Sequence, residues 1–217
     1  MIHKLEADSI QFEINGRKIL RDIYLKCETG KITGILGRNG EGKSCLMKII
    51  YGSLECEKSV RFDDVAQHEP FKRPDLLLYL PQFNFIPKSL SLKRIFDDYE
   101  LEYSSFEKRF PEFKTRHSSI INSLSGGEQR LIELYIVVKS RSQFAMLDEP
   151  FTHLNPLQIE KVQNLLSEEK ENKGLLLTDH MFRYITDICD SLYVLTNGKT
   201  HLTKNISELE TMGYARL

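Results

Sequence analysis

The chain of 217 residues is 41% hydrophobic and 28% charged, a balance that excludes a disordered or fibrous polymer and suits one large domain or two small ones. Its net charge of −1 leaves no bulk excess of cations for nonspecific attraction to a phosphate backbone. Residues 76–80 and 131–138, the longest mostly apolar stretches, fall far short of the ~18–20 residues of a membrane span, and the first nine residues lack the apolar core of a secretory signal, so a cytoplasmic setting is expected. Cys27, Cys45, Cys56 and Cys189 form no C-x-x-C pair and the six histidines no H-x-x-x-H pattern, which predicts reduced thiols and no structural metal.

In chain order, Ile10, Phe12 and Ile14 alternate with polar residues, Asn15-Gly16 supplies a tight turn, and Ile19, Ile23, Leu25 and Cys27 continue in extended style, which predicts an antiparallel β layer. Residues 32–36 read as a buried strand entering a glycine-rich loop, followed by a helix with Leu46, Ile49 and Ile50 on one face. Five of the seven prolines, Pro70, Pro74, Pro81, Pro87 and Pro111, fall between 70 and 111, so that region is expected to be an insertion broken into loops and short helices. Leu131, Leu134, Tyr135 and Val138 have the spacing of a helix facing a core, and residues 144–147 predict a strand. Asn155 and Pro156 open a helix whose inner face is Ile159, Val162, Leu165 and Leu166. Another buried strand over 175–178, a hairpin over 192–203 turning at Asn197-Gly198, and a short terminal helix complete the reading.

Gly37-Arg38-Asn39-Gly40-Glu41-Gly42-Lys43-Ser44 fits G-x-x-x-x-G-K-[ST] and lies where its mechanism needs it, between a buried strand and a helix N-terminus. Gly40 and Gly42 permit backbone conformations that let successive N–H groups converge on phosphate oxygens at the positive end of the helix dipole. Lys43 is placed to reach the β- and γ-phosphates and Ser44 to offer a hydroxyl to Mg2+. Cys45 follows in the first helical turn. Downstream, Asp148 and Glu149 end an apolar strand, where a parallel sheet delivers catalytic side chains: Asp148 for the magnesium shell, Glu149 to polarise an attacking water.

With Leu124-Ser125-Gly126-Gly127-Glu128 the chain resembles the ATP-binding cassette (ABC) ATPases, whose signature is L-S-G-G-Q. The resemblance runs over essentially the whole chain: 37–44 as Walker A, Gln82 in Leu80-Pro81-Gln82 as the Q-loop, Asp148 with Glu149 as Walker B, and His180 in Thr178-Asp179-His180 as the switch histidine. It implies an α/β P-loop NTPase core with a mostly parallel sheet, an N-terminal antiparallel β layer and an inserted α-helical subdomain. As one domain, 1–82 and 143–217 would form the core and 83–142 the helical part, with Leu90, Leu92, Ile95 and Phe96 among its packing residues. The implied ligands are ATP and Mg2+. Lys43, Gln82, Glu149 and His180 would be catalytic; Ser44, Gln82 and Asp148 would attend the metal; and residues 37–45 with Ser125, Gly126, Gly127 and Glu128 would hold nucleotide, with Ser125, Gly126 and Gly127 gripping the γ-phosphate bound by a second copy or a paired subunit. Separate membrane-spanning permease subunits are the implied partners, holding the chain at the inner face of the membrane, with no direct nucleic-acid contact.

Three departures from the family pattern stand out. The residue where the family stacks an aromatic ring on adenine is Ile14, with Phe12 two positions earlier. The D-loop, commonly S-A-L-D, is Thr152-His153-Leu154-Asn155, and the fifth signature residue is Glu128. Two rival readings stay open from sequence: an ABC ATPase acting on nucleic acid, the ribosome or iron–sulfur assembly, and a noncatalytic nucleotide switch.

Overall fold

The computed structural model describes residues 1–180, 182–203 and 208; the expected terminal helix lies outside the described residues. The antiparallel layer begins with β1 (Lys4–Ile14), which turns at Asn15 (φ 51°) and Gly16 (φ 76°) into β2 (Arg17–Leu20). Both turn residues have positive φ, the geometry of a type I′ hairpin, which Asn-Gly adopts at low cost. β3 (Tyr24–Glu28) pairs the first half of β1, and β4 (Ile32–Leu36) leaves the layer for the second sheet. After α1 (Lys43–Tyr51), β5 (Glu57–Phe62) and β6 (Val65–Ala66) complete the layer, giving the order β2-β1-β5-β6 with β3 beside β1. Sequence reading did not foresee β5 and β6, because Glu57-Lys58-Ser59 masks the alternation behind them. In β1 the ladder to β5 slips between Asp8 and Gln11, where Ser9 has φ 53°, a bulge; Ile14, at the end of β1 and paired with Arg17 of β2, is 45% exposed.

The second sheet adds β7 (Leu77–Leu80), then, past α2 (Leu92–Asp98), α3 (Tyr103–Arg109) and α4 (Gly126–Lys139), β8 (Phe144–Asp148); α5 (Pro156–Glu169) leads to β9 (Gly174–Thr178), and α6 (Phe182–Thr186) to β10 (Ser191–Thr196) and β11 (Lys199–Thr203). The strand order is β11-β10-β4-β9-β8-β7, parallel throughout except at the β10–β11 hairpin. One expectation is corrected here: the proline-rich region 70–111 is not wholly an insertion, since β7 inside it is the edge strand of the parallel sheet, paired to β8 from Leu77 to Leu80.

β4, β8 and β9 are buried along their whole length, so their apolar residues alternate between two cores rather than between core and water. Phe144, Met146, Leu176 and Ile35 face α1 and the antiparallel layer. Ala145, Leu147, Leu175, Leu177, Ile32 and Leu36 face the helices. On the latter side Phe96, Phe106, Phe110 and Phe113 gather around Tyr135 of α4, with ring centroids of 5.0 Å for Phe106–Tyr135 and 4.7 Å for Phe106–Phe113. The expected amphipathic helix at 131–138 is therefore buried on all sides from Gln129 to Val138, because the sheet packs against one face and the aromatic cluster against another. Among the described residues no helix is long and apolar enough to cross a membrane.

Candidate nucleotide site

In a parallel sheet every strand delivers its C-terminal end to one edge, and here β4, β9, β8 and β7 are consecutive neighbours. The loops after them carry 37–44, His180, Asp148 with Glu149, and Gln82, so segments distant in sequence meet around one cavity of about 410 Å³. One wall is the glycine loop, with Asn39, Gly40, Gly42, Lys43, Ser44 and the half-buried Cys45 lining the cavity. Gly42 is the N-cap of α1 at φ 101°, a conformation that an L side chain strains to adopt, and a Cβ there would meet Ile19 at 2.9 Å. Lys43 folds back over the loop, its Nζ donating to the carbonyls of Gly37 at 2.6 Å and Arg38 at 3.3 Å. Burial draws its ammonium below the usual range, opposed by the charges of Glu149, Asp148 and Asp179.

Not every loop residue faces that cavity. Glu41 turns its Oε2 to the backbone N–H of Asn197 at 2.9 Å, in a neighbouring pocket with Arg17, Lys18 and Arg21, and its own N–H bonds the Arg38 carbonyl. The Arg38 side chain is exposed. Ile14 and Ile19 add an apolar lip to the cavity lining, while Phe12 packs against the core of the layer. Ile14, the residue expected at the base, thus lies in the lining of the cavity, and Ile19 joins it there.

On the opposite wall Glu149 sits at φ 51°, an uncommon conformation for a residue with a Cβ, held by a hydrogen bond from its N–H to the Thr178 carbonyl at 2.8 Å. Its Oε2 accepts from Gln82 Nε2 at 2.9 Å and lies 3.6 Å from His180 Nδ1, so the three side chains expected to act together do converge. Asp148 is buried beside them, its Oδ1 accepting from Thr178 Oγ1 at 2.6 Å and its Oδ2 from the Tyr79 hydroxyl at 3.1 Å. Burial and the facing Asp148 charge push the Tyr79 hydroxyl far up, so it stays a donor. Each carboxylate oxygen keeps a free lone pair after these bonds. With Ser44 and Gln82 on the cavity wall, the donors are hard oxygens, which suits Mg2+ held partly by water and phosphate.

Ser125, Gly126 and Gly127 open α4 as expected, but at a distance from this cavity. Ser125 is the N-cap, its Oγ accepting from the Glu128 N–H at 3.3 Å, and Glu128 returns the bond by accepting from the Ser125 N–H at 2.8 Å. The Glu128 carboxylate also pairs with Arg116. Burial works against that carboxylate, yet its bonds from Ser125 and Arg116 outweigh the burial and hold its carboxyl below the usual range. The fifth signature residue is therefore committed to capping its own helix. Gly127 is required sterically: a Cβ would lie 2.5 Å from the His153 carbonyl oxygen, whereas one on Gly126 would meet open space. Gly127→Ala is expected to lower unfolding stability by about 1–3 kcal/mol, the cost typical of an overpacked contact, with Gly126→Ala near neutral or stabilising. Equal denaturation midpoints for the two variants would contradict this. Asn155 caps α5 reciprocally with Gln158, at 2.9 and 3.1 Å, which accounts for an amide at that D-loop position.

Sequence reasoning missed Tyr79, Thr178 and the polar face of α4. Arg130 is buried there and donates to the carbonyls of Pro81 at 2.6 Å, Asp148 at 2.5 Å and Glu149 at 2.9 Å. Gln129 bridges Asn84 and the Ile121 and Leu124 carbonyls, and Glu133 Oε1 accepts from the N–H groups of Phe85 and Ile86. The signal available was charge at Arg130 and Glu133 within an otherwise apolar helix.

The profile of the family described as ABC transporter matches residues 20–152. The chain belongs to the ABC transporter family. It is an ATPase of that family. A probable ABC transporter ATP-binding protein of Azorhizobium caulinodans is 31% identical over 89% of this chain and 74% of its own length. The lipopolysaccharide export system ATP-binding protein LptB of Escherichia coli (strain K12) is 28% identical over 89% of this chain and 87% of its own. The energy-coupling factor transporter ATP-binding protein EcfA1 of Thermotoga maritima is 29% identical over 90% and 79%. A solved ATP-binding subunit of an ABC transporter superposes with TM-score 0.80 over 97% of this chain and 93% of that one, at 22% identity. A nucleotide-free ATP-binding cassette superposes with TM-score 0.76 at 20% identity, covering 96% and 94%. Both support the fold of this ABC ATPase, an α/β P-loop NTPase core with its antiparallel layer.

Proposed function

We propose that this chain is the ATP-binding and ATP-hydrolysing subunit of an ABC transporter, working as a pair of copies, or beside a second such subunit, that closes on ATP and reopens after hydrolysis. The observation that carries it is the convergence of Gln82, Glu149 and His180 on the cavity lined by the glycine loop. Residues 37–45 would hold the phosphates through backbone N–H groups and the helix dipole, and Lys43 would exchange its loop carbonyls for the β- and γ-phosphate oxygens. Ser125 to Gly127, at the N-terminus of the 14-residue α4, offer a second set of donors to the γ-phosphate held by the other copy. Ser44, Gln82 and Asp148 would hold Mg2+, which when bound would neutralise phosphate charge. Glu149 draws the proton of a water oriented with Gln82 and His180; the water oxygen bonds to the γ-phosphorus as its bond to the β-phosphate oxygen breaks, leaving ADP and phosphate. Loss of the γ-phosphate removes the bridge between copies.

The helical part, 83–142, is the surface for the membrane-spanning partners, which would keep the chain at the cytoplasmic face. Affinity purification in mild detergent from the native host tests this: recovery of a polytopic membrane protein in stoichiometric amount supports it, and recovery of only cytosolic assemblies contradicts it. The aliphatic lip of Ile14 and Ile19 bears on base choice. An aliphatic side chain covers a purine without the ~0.5–1.5 kcal/mol that aromatic stacking adds, so phosphate contacts dominate and GTP should be hydrolysed within about tenfold of ATP. Ile14→Tyr should tighten ATP binding. A wild-type kcat/KM preference for ATP of a hundredfold or more would overturn the reading of this lip.

A further inference from the structure

We propose that Arg130 is a positioning residue for hydrolysis, one guanidinium that fixes Gln82 and Glu149 relative to each other and couples both to the helix whose N-terminus carries Ser125 to Gly127. The inference rests on the proposed function of the site and names a residue that its chemistry has not used. Arg130 lies in the second turn of α4, 1% exposed, and its donors go to backbone carbonyls in two separate segments. Nη1 holds Pro81, the residue before Gln82, and Nη2 holds Asp148 and Glu149. The Gln82–Glu149 side-chain bond at 2.9 Å closes the ring, so the relative position of these two groups is set from both ends.

Packing alone does not explain an arginine here. A buried cation whose hydrogen bonds all go to carbonyls is costly even with the charges of Glu133, Asp148, Asp179 and Glu149 nearby, and an apolar side chain such as methionine would fill the space in a helix that is buried from Gln129 to Val138. Among the described residues its Nε has no partner, so the side chain is disposed toward the three carbonyls rather than toward its own full satisfaction. What it supplies is a rigid planar fork. Glu149 needs such a restraint, since a non-glycine residue at φ 51° persists only where the surroundings over-determine it. Gln129 and Glu133 on the same helix grip Asn84, Phe85 and Ile86, so residues 81–86 are held to α4 as a run. A displacement of α4 when Ser125 to Gly127 engage a phosphate would therefore move Gln82 and the Glu149 backbone together.

The experiment compares full-length wild type with Arg130→Lys, which keeps the buried cation and stem but not the fork, and with Arg130→Met. Steady-state hydrolysis, ATP affinity by titration calorimetry and thermal midpoint are measured on each. The expected result is a kcat at least tenfold lower in Arg130→Met, partly rescued in Arg130→Lys, with ATP affinity and KM within twofold of wild type. Added to Glu149→Gln, Arg130→Lys should change the residual rate less than twofold, because it acts through Glu149. Wild-type kcat in Arg130→Lys and Arg130→Met, joint loss of affinity and turnover, or failure of both variants to fold would assign Arg130 to packing and overturn the inference. Absence of hydrolysis in wild type would instead overturn the reading of the site itself.

Discussion

Lys43→Ala is expected to lower ATP affinity at least a hundredfold, about 2.7 kcal/mol. The ammonium is already desolvated, held at 2.6 Å by the Gly37 carbonyl inside the loop, so it meets the phosphates without first shedding a full water shell. Alanine leaves the phosphate charge without its nearest cation and the Gly37 carbonyl without its donor. The loop backbone is set by Gly40 and Gly42, which the substitution does not touch, so the fold should survive. Titration calorimetry at constant salt measures the effect, and an affinity within threefold of wild type would remove Lys43 from the phosphate site.

Glu149→Gln should reduce hydrolysis by about a hundredfold or more while leaving ATP affinity within threefold. The amide keeps the size of the carboxyl and can still accept the Gln82 bond, but it cannot take a proton from water. The difference between the two variants is diagnostic: Lys43→Ala fails to bind, whereas Glu149→Gln binds and stalls. Full turnover in Glu149→Gln, measured as phosphate release with Mg2+ present, would shift the general base to another group.

Much of this site was legible in sequence because its parts are local. The glycine loop, the N-cap at Asn155 and the strand ending at Asp148 are each written in fewer than about ten adjacent residues, within the reach of turn chemistry and periodicity. The fold that joins them was legible for the same reason, strand by strand, except where a local pattern fails. β5 begins with Glu57, Lys58 and Ser59, which look like loop, and its place is decided by the neighbouring β1. β7 lies among prolines, and pairing with β8 decides it. The supports of the site were illegible on other grounds. Tyr79 and Thr178 act on Asp148 across neighbouring strands, and Arg130 acts on carbonyls that are distant in sequence, so no spacing records them. Glu128 shows the reverse case: as a signature residue it is read toward nucleotide, while its carboxylate caps α4 and binds Arg116.

In its two-copy form, the proposed function holds ATP between the glycine loop of one copy and the N-terminus of α4 of the other. Light scattering in line with size exclusion, on Glu149→Gln protein with and without Mg-ATP, measures it most directly, since stalled hydrolysis lets the closed state accumulate. The account predicts twice the monomer mass with ATP, the monomer mass with ADP or without nucleotide, and loss of the dimer when Ser125 is replaced by a bulky acidic residue. Monomer mass under saturating Mg-ATP, with nucleotide binding verified in the same sample, would contradict it.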